Sequence, residues 1–252
     1  MTDSGSCFCS PPNRATAVLR RLEAQYGRHA WAANRHDHPL NELVQTILSQ
    51  HTSDLNSGRA FECLKARFDS WTAVAAASEE DVADAIRCGG LAEQKARSIL
   101  QVLCRLLRQD GSTALDDLAD LPLDAAKALL TSLPGVGPKT AACVLLFACG
   151  RPALPVDTHV FRVARRIGLI SSQVSPERAH DCLEAQVTPE DVYSFHLSMI
   201  AHGRRVCLAR SPRCDECVVL ALCDYGRHAS RPAEQSLKPT AKRVPETAGH
   251  RP

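Results

Sequence analysis

Four thiols fall within seventeen residues of the 252-residue chain, in the pattern Cys207-x6-Cys214-x2-Cys217-x5-Cys223. Such a set closes a compact loop around one metal centre, and four thiolates suit either tetrahedral zinc or a cubane [4Fe–4S] cluster. Spacing alone leaves that choice open. Arg204, Arg205, Arg210 and Arg213 lie beside or inside the loop and give it a basic rim, whose natural use is contact with phosphate. A second group is Leu133-Pro134-Gly135-Val136-Gly137-Pro138-Lys139-Thr140-Ala141. Gly135 and Gly137 permit a tight turn with positive φ and close approach of backbone N–H groups to a partner, and Pro138 suits the first turn of a following helix. A turn of this kind ahead of a helix N-terminus can hold a nucleic-acid phosphate without reading a base. The plainer reading is a connection between two helices. Lys139 adds to the phosphate reading, because a cation in the first helical turn opposes the macrodipole and makes its amine a candidate nucleophile. Third is Pro155-Val156-Asp157-Thr158-His159, where Asp157 occupies the N-cap of an amphipathic helix. Capping explains an aspartate there, yet its carboxylate can also turn one oxygen toward Lys139, one helix and one turn away.

The elements that must position these groups are helical. Aromatic residues make up only 4% of the chain, and runs rich in Ala and Leu repeat with helical spacing, so the sequence predicts an all-α protein. Helices are expected near 14–26, 40–50, 54–67, 79–87, 92–108, 123–132, 138–149, 158–167, 176–186 and 190–202, separated by Gly, Pro or Asp. Residues 1–12 and 226–252 lack the apolar period and read as a flexible head and a disordered tail. The tail carries Arg227, Arg231, Lys238, Lys242, Arg243 and Arg251 against Glu234 and Glu246, a composition that fits either nonspecific attraction to phosphate or a solvated tail with no function.

A hydrophobic fraction of 44% and a charged fraction of 23% exclude an intrinsically disordered chain. No apolar run reaches the roughly 20 residues of a membrane span, and Asp3, Pro11 and Pro12 interrupt the place of a signal core. The reading is a soluble, unexported protein, cytoplasmic and nucleoid-associated if bacterial. Net charge is only +2, so any nucleic-acid site must be a local patch. Of the twelve cysteines, Cys63, Cys88, Cys104, Cys143, Cys149 and Cys182 sit singly in helical runs and are expected as core filler, while Cys7 and Cys9 have no partner pair.

In this order, LPGVGPKTA at 133–141, VDTH at 156–159, HGR at 202–204 and the cysteine loop resemble the helix–hairpin–helix DNA glycosylases of the endonuclease III family, over about residues 38–225. The resemblance implies a two-domain fold with a DNA cleft between an α domain at 36–154 and a cluster-bearing α domain built from 13–35 plus 155–225. It further implies Lys139 as nucleophile, Asp157 as its catalytic carboxylate, and a [4Fe–4S] cluster on Cys207, Cys214, Cys217 and Cys223. Duplex DNA with a damaged or abasic nucleotide would be the partner, contacted by Gln50, Leu91, Gly135, Val136, Gly137, Thr140, Arg204, Arg210 and Arg213, with the protein a monomer. Gln50 matches the glutamine that fills the space of a flipped base, and Leu91 the family's leucine wedge. After Gln50, His51-Thr52-Ser53-Asp54 departs from the usual continuation, and with Val192-Tyr193-Ser194-Phe195-His196 and a long 111–132 segment it is similar to the catalytic core of plant 5-methylcytosine glycosylases. The implied activity is removal of oxidised pyrimidines with β-elimination at the abasic site. A preference for mismatched T, U, modified cytosine or alkylated purine, or a noncatalytic iron–sulfur DNA-binding module, remain alternatives.

Overall fold

Serines placed one residue before apolar-periodic runs start several of the helices. Ser53, Ser70, Ser78 and Ser175 each accept a hydrogen bond from a backbone N–H three residues on; proline opens two further helices at Pro39 and Pro138, and Pro176 follows the Ser175 cap. The computed structural model describes residues 12–31 and 38–229. These form α1 (Pro12–Tyr26), α2 (Pro39–Ser49), α3 (Asp54–Arg67), α4 (Trp71–Ala76), α5 (Glu79–Ala85), α6 (Ala92–Leu106), α7 (Leu123–Thr131), α8 (Pro138–Phe147), α9 (Thr158–Ile167), α10 (Pro176–Glu184), α11 (Val192–Arg205) and α12 (Asp224–Ala229). Short 3-10 turns occupy Arg87–Gly89, Pro189–Asp191, Cys214–Glu216 and Leu220–Leu222. Among the described residues no strand forms, and the sole β pairing is an isolated bridge between Leu107 and Thr113. The all-α expectation holds.

Buried apolar side chains fall into two clusters. One runs from Leu40 on α2 to Ala153 and includes Leu43, Ile47, Ile99, Leu103 and Leu130. The other joins Val18, Leu19 and Leu22 of α1 to residues from Leu154 onward, among them Val163, Ile167, Phe195 and Met199. α8 belongs to both, giving Ala141, Ala142, Val144 and Leu145 to the first and Leu146 to the second. A helix apolar on nearly all sides is a buried helix, and this one fixes Lys139 between the two cores. Each fully buried leucine contributes about 1.5–3 kcal/mol from transfer alone.

Arg14 ties α1 to the C-terminal region, donating to the Leu222 and Ile167 carbonyls at 2.7 and 2.5 Å and pairing with Asp224 at 2.6 Å. Gly168, at φ +90°, ends α9 where a Cβ would overlap the Asp224 carboxylate.

Three sequence expectations need correction. α4 was absent from the expected helices, because a six-residue helix with one buried apolar residue, Val74, leaves almost no periodic signal. Residues 226–229 belong to α12, which the Arg14–Asp224 contact holds in place, so the tail begins later than its composition suggests. Cys63, Cys88 and Cys104 are exposed and do not fill a core. The rest of the tail, the head with Cys7 and Cys9, and residues 32–37 lie outside the described residues. No helix among those described is long and apolar enough to cross a membrane.

Candidate active site

Helix periodicity assembles a cleft from three stripes. On α2, Glu42, Gln45, Thr46 and Ser49 occupy the face opposite Leu40, Leu43, Val44, Ile47 and Leu48, which are buried. On α8, Lys139, Cys143 and Phe147 follow one another at intervals of four, and on α11 His196, Ile200 and Arg204 do the same. Asp157, Asp54 and Ser57 complete a cleft of about 910 Å³. It therefore contains one amine, one guanidinium and three carboxylates, over a floor of Phe147, Leu197 and Ile200. The Phe147 ring meets the Tyr193 and His196 rings edge-on or tilted, with centroids 6.0 and 5.7 Å away.

Lys139 and Asp157 thus line one cavity. Lys139 is half-buried in the first turn of α8 behind Gly137, and the preceding turn is made by Gly135 at φ +75° and closed by the Val136 N–H donating to the Leu133 carbonyl at 3.2 Å. The first N–H groups of α8 have no intrahelical acceptor and lie at this turn. Val136 and Thr140 are buried, so their side chains are not presented at the surface of the turn. Asp157 does cap α9, accepting the Val160 N–H at 2.7 Å, while remaining in the cleft wall. Capping and lining the cleft are compatible in this carboxylate.

Burial governs titration nearby. It pushes the Cys143 thiol up to about 11, against the opposing charge and hydrogen bond of Lys139 one turn away. It also pushes the His196 imidazole down to about 4, opposed by the Asp157 carboxylate. His196 is therefore neutral at pH 7. Its Nδ1 lies 2.9 Å from the Pro155 carbonyl, an acceptor only, which places the proton on Nδ1 and leaves Nε2 as acceptor.

The four loop cysteines surround a second, small cavity with Arg166, Ile167, His202, Val206 and Tyr225. Burial pushes the Cys217 thiol up to about 11, and each of the other three thiols repels its charged form further, so the four sulfurs crowd one point. The donor set and this crowding fit a cationic cluster, which would restore the thiolate forms. Arg166 pins the loop, donating to the Leu208 and Ala209 carbonyls at 2.6 and 3.0 Å and to Cys207 Sγ at 3.4 Å. The Gly226 N–H donates to Cys223 Sγ at 3.3 Å, and a Cβ on Gly226 would approach Leu220 to 2.5 Å.

The remaining anticipated contacts are spread around this framework. Leu91 is 52% exposed and left-handed, at φ +50°, a conformation costing a leucine about 1–2 kcal/mol. Gln50 caps the end of α2 and is half-buried. Arg204, Arg210 and Arg213 are all exposed; Arg204 pairs with Asp54 at 2.9 Å and Arg213 with Glu216 at 3.8 Å. Glu42, Gln45, Thr46, Cys143, Phe147 and His196 line the cleft without having been anticipated; the polar stripe on one side of α2 was the available signal.

A family model described as HhH-GPD superfamily base excision DNA repair protein matches residues 44–189, and one described as the iron–sulfur binding domain of endonuclease III matches residues 207–223. Endonuclease III of Thermotoga maritima is 34% identical over 77% of this chain and 86% of its own length. The Escherichia coli K12 enzyme of that name is 34% identical over 82% and 93%. An Arabidopsis thaliana protein named for DNA glycosylase activity is 38% identical over 66% of this chain, which spans only 56% of that relative. In three dimensions the chain is similar to endonuclease III in a non-covalent DNA complex, with a TM-score of 0.73, 29% identity, and 88% and 100% of the two chains covered. The chain belongs to the HhH-GPD superfamily of base excision DNA repair proteins and, within it, to the endonuclease III family of DNA glycosylases. Residues 207–223 are its [4Fe–4S] loop.

Proposed function

We propose that this DNA glycosylase is also an AP lyase that removes oxidised pyrimidines from duplex DNA and nicks the strand 3′ to the abasic site. The carrying observation is that Lys139 and Asp157, from two different helix N-termini, line one cleft of nucleotide size beside an anion-binding turn. In this reading a damaged nucleotide rotates out of the helix into the cleft. The Lys139 amine forms a bond to C1′ as the glycosidic bond breaks, and the base departs with the bonding electrons and a proton. Asp157 stabilises the positive charge that develops at C1′ and assists the proton transfers. The nitrogen then gives up a proton and its lone pair breaks the C1′–O4′ bond, O4′ taking up a proton as the sugar ring opens, which leaves a Schiff base at C1′. Removal of a 2′ proton then expels the 3′ phosphate, and water releases the lysine.

Main-chain N–H groups around Gly135, Gly137 and Thr140 hold one phosphate, and Arg210 and Arg213 another. Gln50 and Leu91 enter the vacated space. Cys207, Cys214, Cys217 and Cys223 would hold the cluster, which orders the arginine loop and supplies no electrons to a reaction without net redox change. The site is complete in one chain, which supports action as a monomer, on nucleoid DNA in the cytoplasm if the source is bacterial. The test is borohydride trapping on duplexes carrying thymine glycol, uracil, 5-methylcytosine or an abasic site. Covalent capture with thymine glycol and the abasic site is expected; capture with neither, from a loaded, DNA-binding protein, rejects the reading in favour of a binding module.

A further inference from the structure

Lys95 is the one lysine among the described residues with a buried residue environment, 3% exposed, and no carboxylate pairs with it. Its ammonium donates instead to two backbone carbonyls from different elements, Leu48 at 2.8 Å and Gly89 at 2.9 Å. Leu48 lies in the last turn of α2, immediately before cleft-lining Ser49 and then Gln50 and His51. Gly89 closes the 3-10 turn just before Gly90 and Leu91. Both carbonyls are at helix ends, where acceptors lack intrahelical partners. Three residues beyond Leu48 and two beyond Gly89 the backbone takes an unusual shape: His51 is exposed at φ +53°, and Leu91 is exposed at φ +50°. Side chains other than glycine adopt this conformation rarely; besides Ser211 on the cysteine loop, His51 and Leu91 are the described non-glycine residues that do, and these two flank one buried cation. The second loop is also packed tightly from below, since a Cβ on Gly89 would approach the Ala60 Cβ to 2.9 Å.

We infer that Lys95 is a positioning residue that holds the 49–51 and 89–91 loops at a fixed separation, so that they enter the DNA as one two-pronged wedge. A buried charge satisfied only by two carbonyls is more than packing of α6 requires, because an apolar side chain of the same length would fill the space without a desolvation cost. What the ammonium adds is a hydrogen-bonded link between the two loops, from one Nζ to the Leu48 and Gly89 carbonyls. The structure also makes His51, in addition to Gln50, part of the first prong. The inference rests on the glycosylase reading but concerns insertion, not bond breaking.

The test uses full-length, cluster-loaded protein and a duplex with 2-aminopurine beside a tetrahydrofuran abasic analogue, whose fluorescence rises when the stack is opened. Lys95→Gln and Lys95→Met, with helical content verified by circular dichroism, should bind with affinity within about threefold of the unaltered protein, because the phosphate contacts are untouched. They should lose most of the fluorescence rise. Leu91→Ala should lose a similar part, and adding Lys95→Gln to Leu91→Ala should cause little further loss, as expected of residues acting as a unit. A full fluorescence rise in Lys95→Gln, or losses that multiply in the double variant, overturns the proposal. So does loss of helical content in both Lys95 variants, which would make the lysine part of the core. The analogue cannot react, so failure of Schiff-base trapping elsewhere would leave this result unaffected.

Discussion

Arg204, in the last turn of α11, reaches across the cleft to Asp54 in the first turn of α3, with Nη1 and Oδ2 2.9 Å apart. The pair joins residues 150 positions apart in sequence and closes part of the cleft rim. Both side chains are solvent-exposed, so the pair is worth about 0–1 kcal/mol to the fold. On the proposed DNA-bound reading its larger effect is on charge, because it engages a guanidinium at the cleft rim. Asp54→Asn is expected to leave the melting temperature within about 2 °C and to tighten duplex binding several-fold, with a salt dependence steeper by about one counterion. Fluorescence anisotropy at several salt concentrations measures both.

Asp157 both caps α9 and lines the cleft that Lys139 lines, and the two roles separate by substitution. Asparagine caps a helix about as well as aspartate, so Asp157→Asn should keep its thermal stability. Removing the charge should slow base release by about 100-fold or more. Asp157→Ala should lose the same activity and in addition about 1 kcal/mol of stability. Single-turnover kinetics alongside thermal melts distinguish the cases; equal activity in Asp157→Asn and the unaltered protein would reduce Asp157 to a cap.

The neutral burial of His196 makes stability depend on acid. Its folded pKa, about 4, lies below the ordinary histidine value, and burial pushes His180 down as well. Between those limits the unfolded chain binds more protons than the folded one, so stability rises with pH across the window. Stability is therefore expected to fall as pH drops from about 6.5 to about 4, by up to about 1.4 kcal/mol per pH unit for each histidine that takes up a proton on unfolding. Urea denaturation at pH 7 and pH 5 provides the measurement; equal midpoints would contradict it.

Removal of one cluster ligand should act on binding before it acts on the helical core. Cys214→Ser is expected to weaken the broad absorption near about 400 nm and to expose the 207–223 loop to proteolysis. Arg210 and Arg213 then lose their fixed positions, and DNA affinity should fall about tenfold. Far-ultraviolet circular dichroism should change little, since α2 to α8 enclose a separate apolar cluster.

Much of this was legible in the chain because the relevant signals are local. Lys139 and Asp157 stand beside turn and cap residues whose types dictate a helix start, and the four cysteines are close in sequence. α4 and α12 were not legible, being too short for a period to develop. The cleft walls were hidden for another reason. Glu42, Cys143, Phe147 and His196 meet only when α2, α8 and α11 pack together, and each taken alone resembles an ordinary helical residue. The pairing of Arg204 with Asp54 was hidden for the same reason, because Asp54 belongs to a distant segment.

The central claim is that the Lys139 amine attacks C1′. It is tested most directly by incubating Lys139→Gln and the unaltered protein, each with its cluster, with abasic-site duplex in borohydride. The account predicts a covalent protein–DNA species from the unaltered chain alone, with noncovalent binding retained by the variant. Undiminished trapping by Lys139→Gln would contradict it, because another amine would then be forming the imine.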